Sequence, residues 1–187
     1  MIDWTKPKTE KFIKSHLNEV SWSYISKYQK LTEKFIEKHK DLVNWDNISI
    51  YQKLTEKFIK KHKFTKPVNN WLYTSTKDKL AYIKKNTNYK VIKNKYIVAY
   101  KSIRSDNYSV YNFQYKYLVG KTYKSNCDCN LTNENSFGLS TWTKEKALEY
   151  HSTGKLIKVK ISIEDIGAIV HSGNKIRCFK FEVLKEV

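Results

Sequence analysis

One five-residue sequence, Thr-Glu-Lys-Phe-Ile, occurs three times and constrains the fold more than any other feature of the chain. The copies begin at Thr9, Thr32 and Thr55, so each follows the previous one by 23 residues. The similarity extends upstream, where residues 22–31 align with residues 45–54. A fixed period of this length is typical of an array in which one small unit is stacked several times. We therefore expect the first part of the chain to form a short repeat array.

Each unit contains two predicted helix starts. Thr32 is a favourable N-cap, and Leu31 and Ile36 flank it in the positions of a hydrophobic staple. A similar arrangement precedes the tryptophan of the unit. We predict a short helix over about 22–28 and a second over about 33–39, so that each unit is a helical hairpin. A single helix through both segments also fits the apolar spacing.

The repeat defines the predicted domain boundaries. We place the units at about 9–20, 21–43 and 44–66, with a degenerate unit at 70–86. Degenerate end copies are expected, because terminal units cap the array. The predicted helical repeat domain therefore covers residues 1–86.

The repeat resembles a known sequence unit. Its pattern, Trp-x-x-Ile-Ser-x-Tyr-Gln-x-Leu-(Ser/Thr)-Glu-x-Phe-Ile, is similar to units in proteins of giant DNA viruses and some bacteriophages. The resemblance covers about residues 9–64. It implies a viral origin and a scaffold role, and it implies no chemistry.

The apolar pattern changes from helical to alternating near residue 87. We predict strands at 89–92, 96–103, 138–142, 155–163, 166–170 and 175–183, a further alternating stretch at 113–117, and a helix at 144–150. These elements predict a second domain over 87–187, a small and mostly antiparallel sheet with one helix. The fold class predicted for the whole chain is α+β.

The second domain also resembles a phage module. The similarity rests on an ordered series: Val-Gly-Lys-Thr-Tyr from Val119, a cysteine-bearing loop, Gly138-Leu139, and Lys-Ile-Arg-Cys-Phe from Lys175. The module occurs in phage proteins, including rIIB-like proteins. Those proteins more often have Gly-Leu-His where this chain has Ser140 in the third position. The resemblance implies a phage context and no catalytic mechanism.

The chain is strongly basic. It carries 36 Lys and Arg against 18 Asp and Glu, a formal net charge of +18. Such a charge favours polyanionic partners. Only Arg104 and Arg177 are arginines, and bidentate recognition of guanine favours arginine, so we expect sequence-independent phosphate contacts. An A/T-rich coding genome, with the lysines as a solvated surface, is the alternative explanation of the charge.

No metal site or other cofactor site is predicted. His16, His39 and His62 recur one repeat apart, and no cysteine or carboxylate recurs with them, so we interpret them as exposed residues at helix ends. Cys127 and Cys129 are closer in sequence than the usual zinc ligands, and no second pair follows. With three cysteines in all, a disulfide framework is also not expected.

One enzymatic hypothesis remains as an alternative. Arg104, then Ser140 and Thr141, then Glu164 follow the order of residues in ADP-ribosyltransferases. The resemblance implies NAD as substrate, with the arginine on its phosphates and the carboxylate at the reacting centre. The glutamate lacks the usual partner two residues earlier, where Ser162 stands. We therefore favour a protein without catalysis and without NAD.

The preferred hypothesis is a binding protein. Tyrosines interleaved with lysines suit base stacking or a protein interface. We predict contacts through lysines, one arginine and two tyrosines: Lys38, Lys60, Lys61, Lys63, Lys93, Lys95, Lys101, Arg104, Tyr108 and Tyr111. The partner expected is a host protein or ribonucleoprotein, with non-specific nucleic acid as a further possibility. No apolar run is long enough for a membrane span and no signal peptide is seen, so the expected location is the host cytoplasm.

The predicted biological role follows from these hypotheses together. A small, basic, virus- or phage-type accessory protein would bind and block a host macromolecule. A nucleic-acid-containing defence complex is the target that the charge favours.

Overall fold

The computed structural model describes residues 2–65, 69–113 and 115–187. The chain divides into two compact units, Met1–Tyr73 and Thr74–Val187. Helices dominate the first unit and an antiparallel sheet dominates the second, so the protein has a mixed α+β fold, as predicted.

Short helices make up the first unit. They are α1 (Glu10–Lys14), α2 (Trp22–Tyr28), α3 (Glu33–Lys38), α4 (Trp45–Tyr51) and α5 (Glu56–Lys61), followed by a 3₁₀ turn at Trp71–Tyr73. The second and third copies of the repeat each contain two of these helices. Five to seven residues are too few for a helix to be stable alone, so packing must hold them in place.

Local sequence signals explain where these helices begin. Thr9, Thr32 and Thr55 each accept a hydrogen bond at the side chain from the backbone N–H three residues on. Each therefore satisfies one of the donors left free at a helix start. The isoleucine of each copy is then directed inward, and Ile36 is fully buried among the apolar residues that form the core of this unit.

The repeat histidines differ from the expectation of exposed helix ends. His39 and His62 do occupy C-cap positions. However, the His39 ring lies 4.5 Å from that of Phe35 and 5.2 Å from that of Trp22, and only 8% of His39 is exposed. His62 is placed similarly, with its ring 4.7 Å from that of Trp45. The histidines are therefore part of the aromatic packing of each unit.

The second unit contains two helices and eight strands among its described residues. The helices are α6 (Thr76–Asn86) and α7 (Lys144–Tyr150). The strands are β1 (Val91–Ile92), β2 (Tyr96–Ile103), β3 (Thr122–Lys124), β4 (Leu139–Trp142), β5 (Lys155–Ser162), β6 (Ile166–Val170), β7 (Lys175–Cys178) and β8 (Lys180–Glu186). A 3₁₀ turn, Ile163–Asp165, links β5 to β6.

The strands form one antiparallel sheet that curls back on itself. The described order is β3-β8-β5-β2-β4-β7-β6, with β1 paired to β2. Only Phe179 separates β7 from β8, so both ends of the path β8-β5-β2-β4-β7 belong to one continuous segment. Buried side chains alternate along the central strands and fill the inside of the curl, as Ile97 and Ala99 of β2 and Val159 of β5 do.

The observed boundary between the units differs from the predicted one after residue 86. Helix α6 was predicted as part of a degenerate repeat, but it belongs to the second unit. The Lys79 ammonium on α6 donates to the Ile166 carbonyl oxygen at 2.5 Å, and Ile83 is fully buried. This unit therefore has two helices where one was predicted. A further alternating stretch was predicted at 113–117. Gln114 lies outside the described residues, and the described part of this stretch forms an isolated bridge, in which Lys116 pairs with Tyr108.

Candidate nucleic-acid interface

The residues of the alternative enzymatic hypothesis do not meet in one cleft. Arg104 follows the end of β2, whereas Glu164 follows the end of β5. These strands are antiparallel and pair from Tyr96 with Ser162 to Ile103 with Lys155, which places Arg104 and Glu164 at opposite ends of the pair. The paired stretch alone is about 23 Å long at roughly 3.3 Å per residue.

The local contacts of the same residues are structural. Arg104 is paired with Asp106 at 2.8 Å, and both side chains are well exposed. Ser140 and Thr141 lie on β4, where Thr141 is fully buried and its hydroxyl has no hydrogen-bond partner among the described residues. A cleft that could hold a dinucleotide between the arginine and the glutamate is therefore not formed by these positions.

The cysteines are buried in the sheet core. Burial raises the pKa of Cys127 and of Cys178, so their thiols stay protonated and are weak nucleophiles. A Cβ on Gly167 would lie 2.4 Å from the Cys127 sulfur, so the thiol fills the space that this glycine leaves. Across the described part of the chain, no three His, Cys, Asp or Glu side chains are grouped to hold a metal ion.

Aromatic rings form a ladder on the outside of the second unit. It consists of Tyr111, Tyr150, Trp142 and His171, and we call it the aromatic ladder. Successive ring centres are 5.7, 5.2 and 5.1 Å apart, and the rings are tilted to one another. Tyr111 is 76% exposed and Tyr150 is 42% exposed, so one end of the ladder is open to solvent. Exposed neighbouring rings are the surfaces on which unpaired bases stack.

The residues of the ladder come from separate parts of the fold. Trp142 ends β4, Tyr150 ends α7, and His171 follows β6. Helix α7 is held against the sheet by Ser102, whose hydroxyl donates to the Ala147 carbonyl. Both burial and a hydrogen bond with Tyr111 raise the pKa of Tyr150, so its hydroxyl remains protonated.

A buried arginine positions the closed end of the ladder. Arg177 is fully buried, and its guanidinium donates to the carbonyl oxygens of Asp128, Asn130 and Asn133. These bonds fix the loop between β3 and β4. The loop reaches His171 through Asn135, whose side-chain oxygen lies 3.3 Å from the imidazole Nε2.

A cation lies against the ladder. The ammonium of Lys175 is 5.0 Å from the centre of the Trp142 ring, a cation–π contact. The same ammonium donates to Asn135 Oδ1 at 2.9 Å and to the Glu134 carbonyl at 3.1 Å. Burial is the main cause that lowers the pKa of Lys175, and the nearby Arg177 adds to it.

A basic cavity lies beside the ladder on the β2–β5 surface. Its volume is about 320 Å³, and the lining includes Lys90, Lys144 and Lys158 together with Tyr100 and Glu145. We call this site the basic cavity.

The ladder and the cavity are neighbours in the fold. Tyr100 is the residue opposite Trp142 in the pairing of β2 with β4. Lys144 follows Trp142 by two residues and begins α7. The combined surface therefore offers stacking rings and lysines side by side.

The lysines and tyrosines predicted as binding residues are scattered over both units. Lys38, Lys60, Lys61 and Lys63 are exposed on the first unit, and Lys93 and Lys95 are exposed at the β1–β2 turn. Of the predicted residues, only Tyr111 belongs to the ladder.

Three further predicted residues, Lys101, Arg104 and Tyr108, have local partners. Arg104 lies over the Phe113 ring at 5.0 Å, and Lys116 lies over the Tyr108 ring at 5.5 Å. Lys101 is half-buried, and its ammonium donates to the Ser140 carbonyl at 3.0 Å. Burial lowers the pKa of Lys101 to about 8. Lys101 is therefore part of the sheet packing and not of an open cationic surface.

Sequence reasoning did not identify the central residues of this surface. Trp142, Tyr150 and His171 are 8 to 29 positions apart, and nothing in a single sequence relates them. Lys158 was assigned only to a strand. The alternation of apolar and charged residues along β5 was the one available signal, because it directs Lys158 to the face opposite the core.

Searches of known protein families, curated proteins and solved structures found no match to this chain. In the described ranges, no helix is both long and apolar enough to cross a membrane.

Proposed function

We propose that this protein binds single-stranded nucleic acid, without catalysis, through the aromatic ladder and the basic cavity. The observation that carries the proposal is the ladder, in which exposed Tyr111 and Tyr150 continue into Trp142 and His171 at ring spacings of 5.1 to 5.7 Å. Bases stack on such rings with little regard to sequence, because every base has an aromatic face.

The charge supports the same partner. The chain carries a formal net charge of +18, and lysine supplies almost all of its basic residues. Lysine acts as a point charge towards phosphate, whereas bidentate reading of base edges relies mainly on arginine. We therefore propose binding that depends on the backbone and on stacking, and that discriminates weakly between sequences.

Binding to a fluorescent single-stranded oligonucleotide tests the proposal. Truncating Tyr150 to alanine removes a central ring of the ladder. Base–aromatic stacking contributes about 1–3 kcal/mol per base, so the Tyr150→Ala variant should bind about 5- to 150-fold more weakly. Fluorescence anisotropy at one fixed salt concentration measures the difference.

The matched control is Leu148→Ala on the same helix. Leu148 is 46% exposed, and its side chain has no ring. We expect this variant to bind like the parent protein. Equal affinities of the Tyr150→Ala and Leu148→Ala variants would contradict a stacking role for the ladder.

We extend the proposal to the biological target. The two sequence resemblances support a virus- or phage-type accessory protein, and nucleic-acid binding would direct it to a nucleic-acid-containing host complex, such as a defence ribonucleoprotein. Covering the RNA or DNA of that complex would block it. Capture of one host complex from lysate, lost in the Tyr150→Ala variant and after nuclease treatment, is the expected result. Capture that survives both changes would argue for a protein target instead.

We also propose that the first unit is an array of helical hairpins that serves as a scaffold. The support is a pair of buried glutamines one repeat apart. The Gln52 amide donates to the carbonyl oxygens of Ser26 and Gln29 at 2.8 Å, and its Oε1 accepts from the Leu31 N–H. Gln29 makes the corresponding bonds to the segment before α1. Each unit would thereby be fixed to the previous one.

A further inference from the structure

We infer that the basic cavity binds a phosphorylated end of the single strand, that is, a terminal nucleotide carrying a phosphate monoester. This inference rests on the proposed function and specifies which part of the ligand this surface takes. It begins from the size of the site. A volume of about 320 Å³ lies at the small end of ligand cavities, so it suits one nucleotide and not a longer segment of chain.

The three lysines of the cavity form no ion pair among the described residues, although one carboxylate, that of Glu145, shares the lining. Neighbouring lysines on β5 are paired with carboxylates of β8: Lys155 with Glu186 and Lys160 with Glu182. Lys158 lies between them and forms no ion pair among the described residues. The residue opposite Lys158 in the pairing of β5 with β8 is another lysine, Lys185.

Two like charges directly opposite each other on a sheet destabilise it. An anion bound beside Lys158 would relieve this repulsion. Lys90 and Lys144 reach the same cavity, and neither has an ion-pair partner among the described residues. A phosphate monoester carries more negative charge near neutral pH than the phosphodiester of a chain interior, so three lysines against the one carboxylate of Glu145 favour the end of a strand.

The remaining lining suits the rest of a nucleotide. Tyr100, Ile92 and Val98 provide an aromatic and apolar surface for a base. Asn88 and Glu145 offer polar groups to its edge. A site of this composition combines an apolar surface with a few polar groups that set orientation.

The position of the cavity explains why an end would be held there. Tyr100 lines the cavity and is paired with Trp142, a ring of the ladder. A strand whose bases stack on Tyr111, Tyr150 and Trp142 would therefore bring its terminal nucleotide to the cavity.

The test compares oligonucleotides of one sequence with a 5′-phosphate, a 3′-phosphate or hydroxyls at both ends. Charge-assisted hydrogen bonds to the phosphate predict that one phosphorylated end binds about tenfold more tightly than the hydroxyl-ended strand. In the Lys158→Gln variant this preference should disappear, while the loss caused by Tyr150→Ala remains. Lys160→Gln is the matched control, because Lys160 lies on the same strand and is paired with Glu182.

Each result of this comparison either supports or overturns the terminal-nucleotide site. Equal binding of all three strands overturns the terminal-nucleotide site, and so does a phosphate preference that survives Lys158→Gln. In either case the ladder proposal still holds if Tyr150→Ala weakens binding. Failure of every strand to bind would overturn the proposed function and this inference together. A nucleoside monophosphate that competes with the phosphorylated strand, where the nucleoside does not, is the further expected result.

Discussion

His39 shows how a single residue makes the stability of the first unit depend on pH. Burial lowers the pKa of His39, and nearby Lys38 and Lys14 lower it further. Its Nε2 has no hydrogen-bond partner among the described residues. The imidazole is therefore held neutral between the rings of Trp22 and Phe35.

The first prediction follows from the sign of that shift. The unfolded chain binds a proton at His39 near pH 6.5, and the folded chain does so only at lower pH. The contribution of His39 to stability is thus present above about pH 6.5 and is lost as the pH falls from there towards the folded-state pKa. Urea unfolding at pH 7.5 and pH 5 should show a smaller pH effect in the His39→Gln variant than in the parent. A parent-like pH effect in His39→Gln would refute this account.

Arg177 is the residue on which the loop between β3 and β4 depends. We predict that Arg177→Met lowers the free energy of unfolding by at least about 3 kcal/mol, because three loop carbonyls lose the charged donor that the fully buried guanidinium supplies. The only other arginine of the chain supplies the control. Arg104 is exposed and paired with Asp106, so Arg104→Met should cost less than about 1 kcal/mol. Similar values for the two variants in chemical denaturation would show that the buried guanidinium does not hold the loop.

At the scale of elements, the first unit depends on hydrogen bonds between side chains of one repeat and the backbone of a neighbouring repeat. Besides the glutamines, the Glu10 carboxylate accepts from the Thr32 N–H at 2.7 Å, and the Glu33 carboxylate accepts from the Thr55 N–H at 2.6 Å. Helices this short gain little from their own hydrogen bonds. Contacts between successive repeats must therefore supply much of their stability.

The glutamine of the third unit, Gln52, allows a direct measurement. The Gln52→Ala substitution removes the hydrogen-bond partner of two backbone carbonyls and one backbone N–H. The Gln52 residue is only 2% exposed, so water cannot readily replace its side chain. We predict a loss of about 2–4 kcal/mol in the free energy of unfolding. Gln29→Ala should cost a similar amount, and Lys53→Ala, an exposed neighbour, should cost almost nothing. A Gln52→Ala value close to that of Lys53→Ala would contradict the proposed stacking of hairpins.

Local signals predicted most of the elements. Thr32 and Thr55 mark helix starts through their own neighbours in sequence, so the cap could be identified without the fold. The strands at β2 and β5 follow from period-two alternation over eight residues. The role of 70–86 could not be predicted in this way, because the contact between Lys79 and Ile166 joins residues 87 positions apart.

At the scale of the whole molecule, the candidate site was less predictable than the elements. The basic composition predicted a polyanionic partner, but it did not predict which lysines would contact that partner. Lys101 and Lys158 lie on neighbouring strands, yet the first is enclosed by the sheet and the second lines an open cavity. The difference depends on the register and curl of the sheet, and an isolated sequence specifies neither.

The distribution of charge over the two units leads to the last prediction. Residues 1–73 carry a net charge of +7 and residues 74–187 carry +11. If the second unit holds the strand through one terminal phosphate in the cavity, log K against log salt should have a slope of about −0.7, the value for each phosphate neutralised on single-stranded nucleic acid. Substituting Lys90, Lys144 and Lys158 with glutamine should bring that slope close to zero.

The first unit supplies the control for that measurement. Glutamine in place of Lys60, Lys61 and Lys63 removes the same number of charges from exposed positions outside the proposed interface. The slope depends only on the number of phosphates that the protein neutralises on binding. This variant should therefore keep the slope of the parent protein. If the first-unit variant loses the salt dependence and the cavity variant keeps it, the strand lies along the repeat lysines. In that case the Tyr150→Ala variant should also bind like the parent protein.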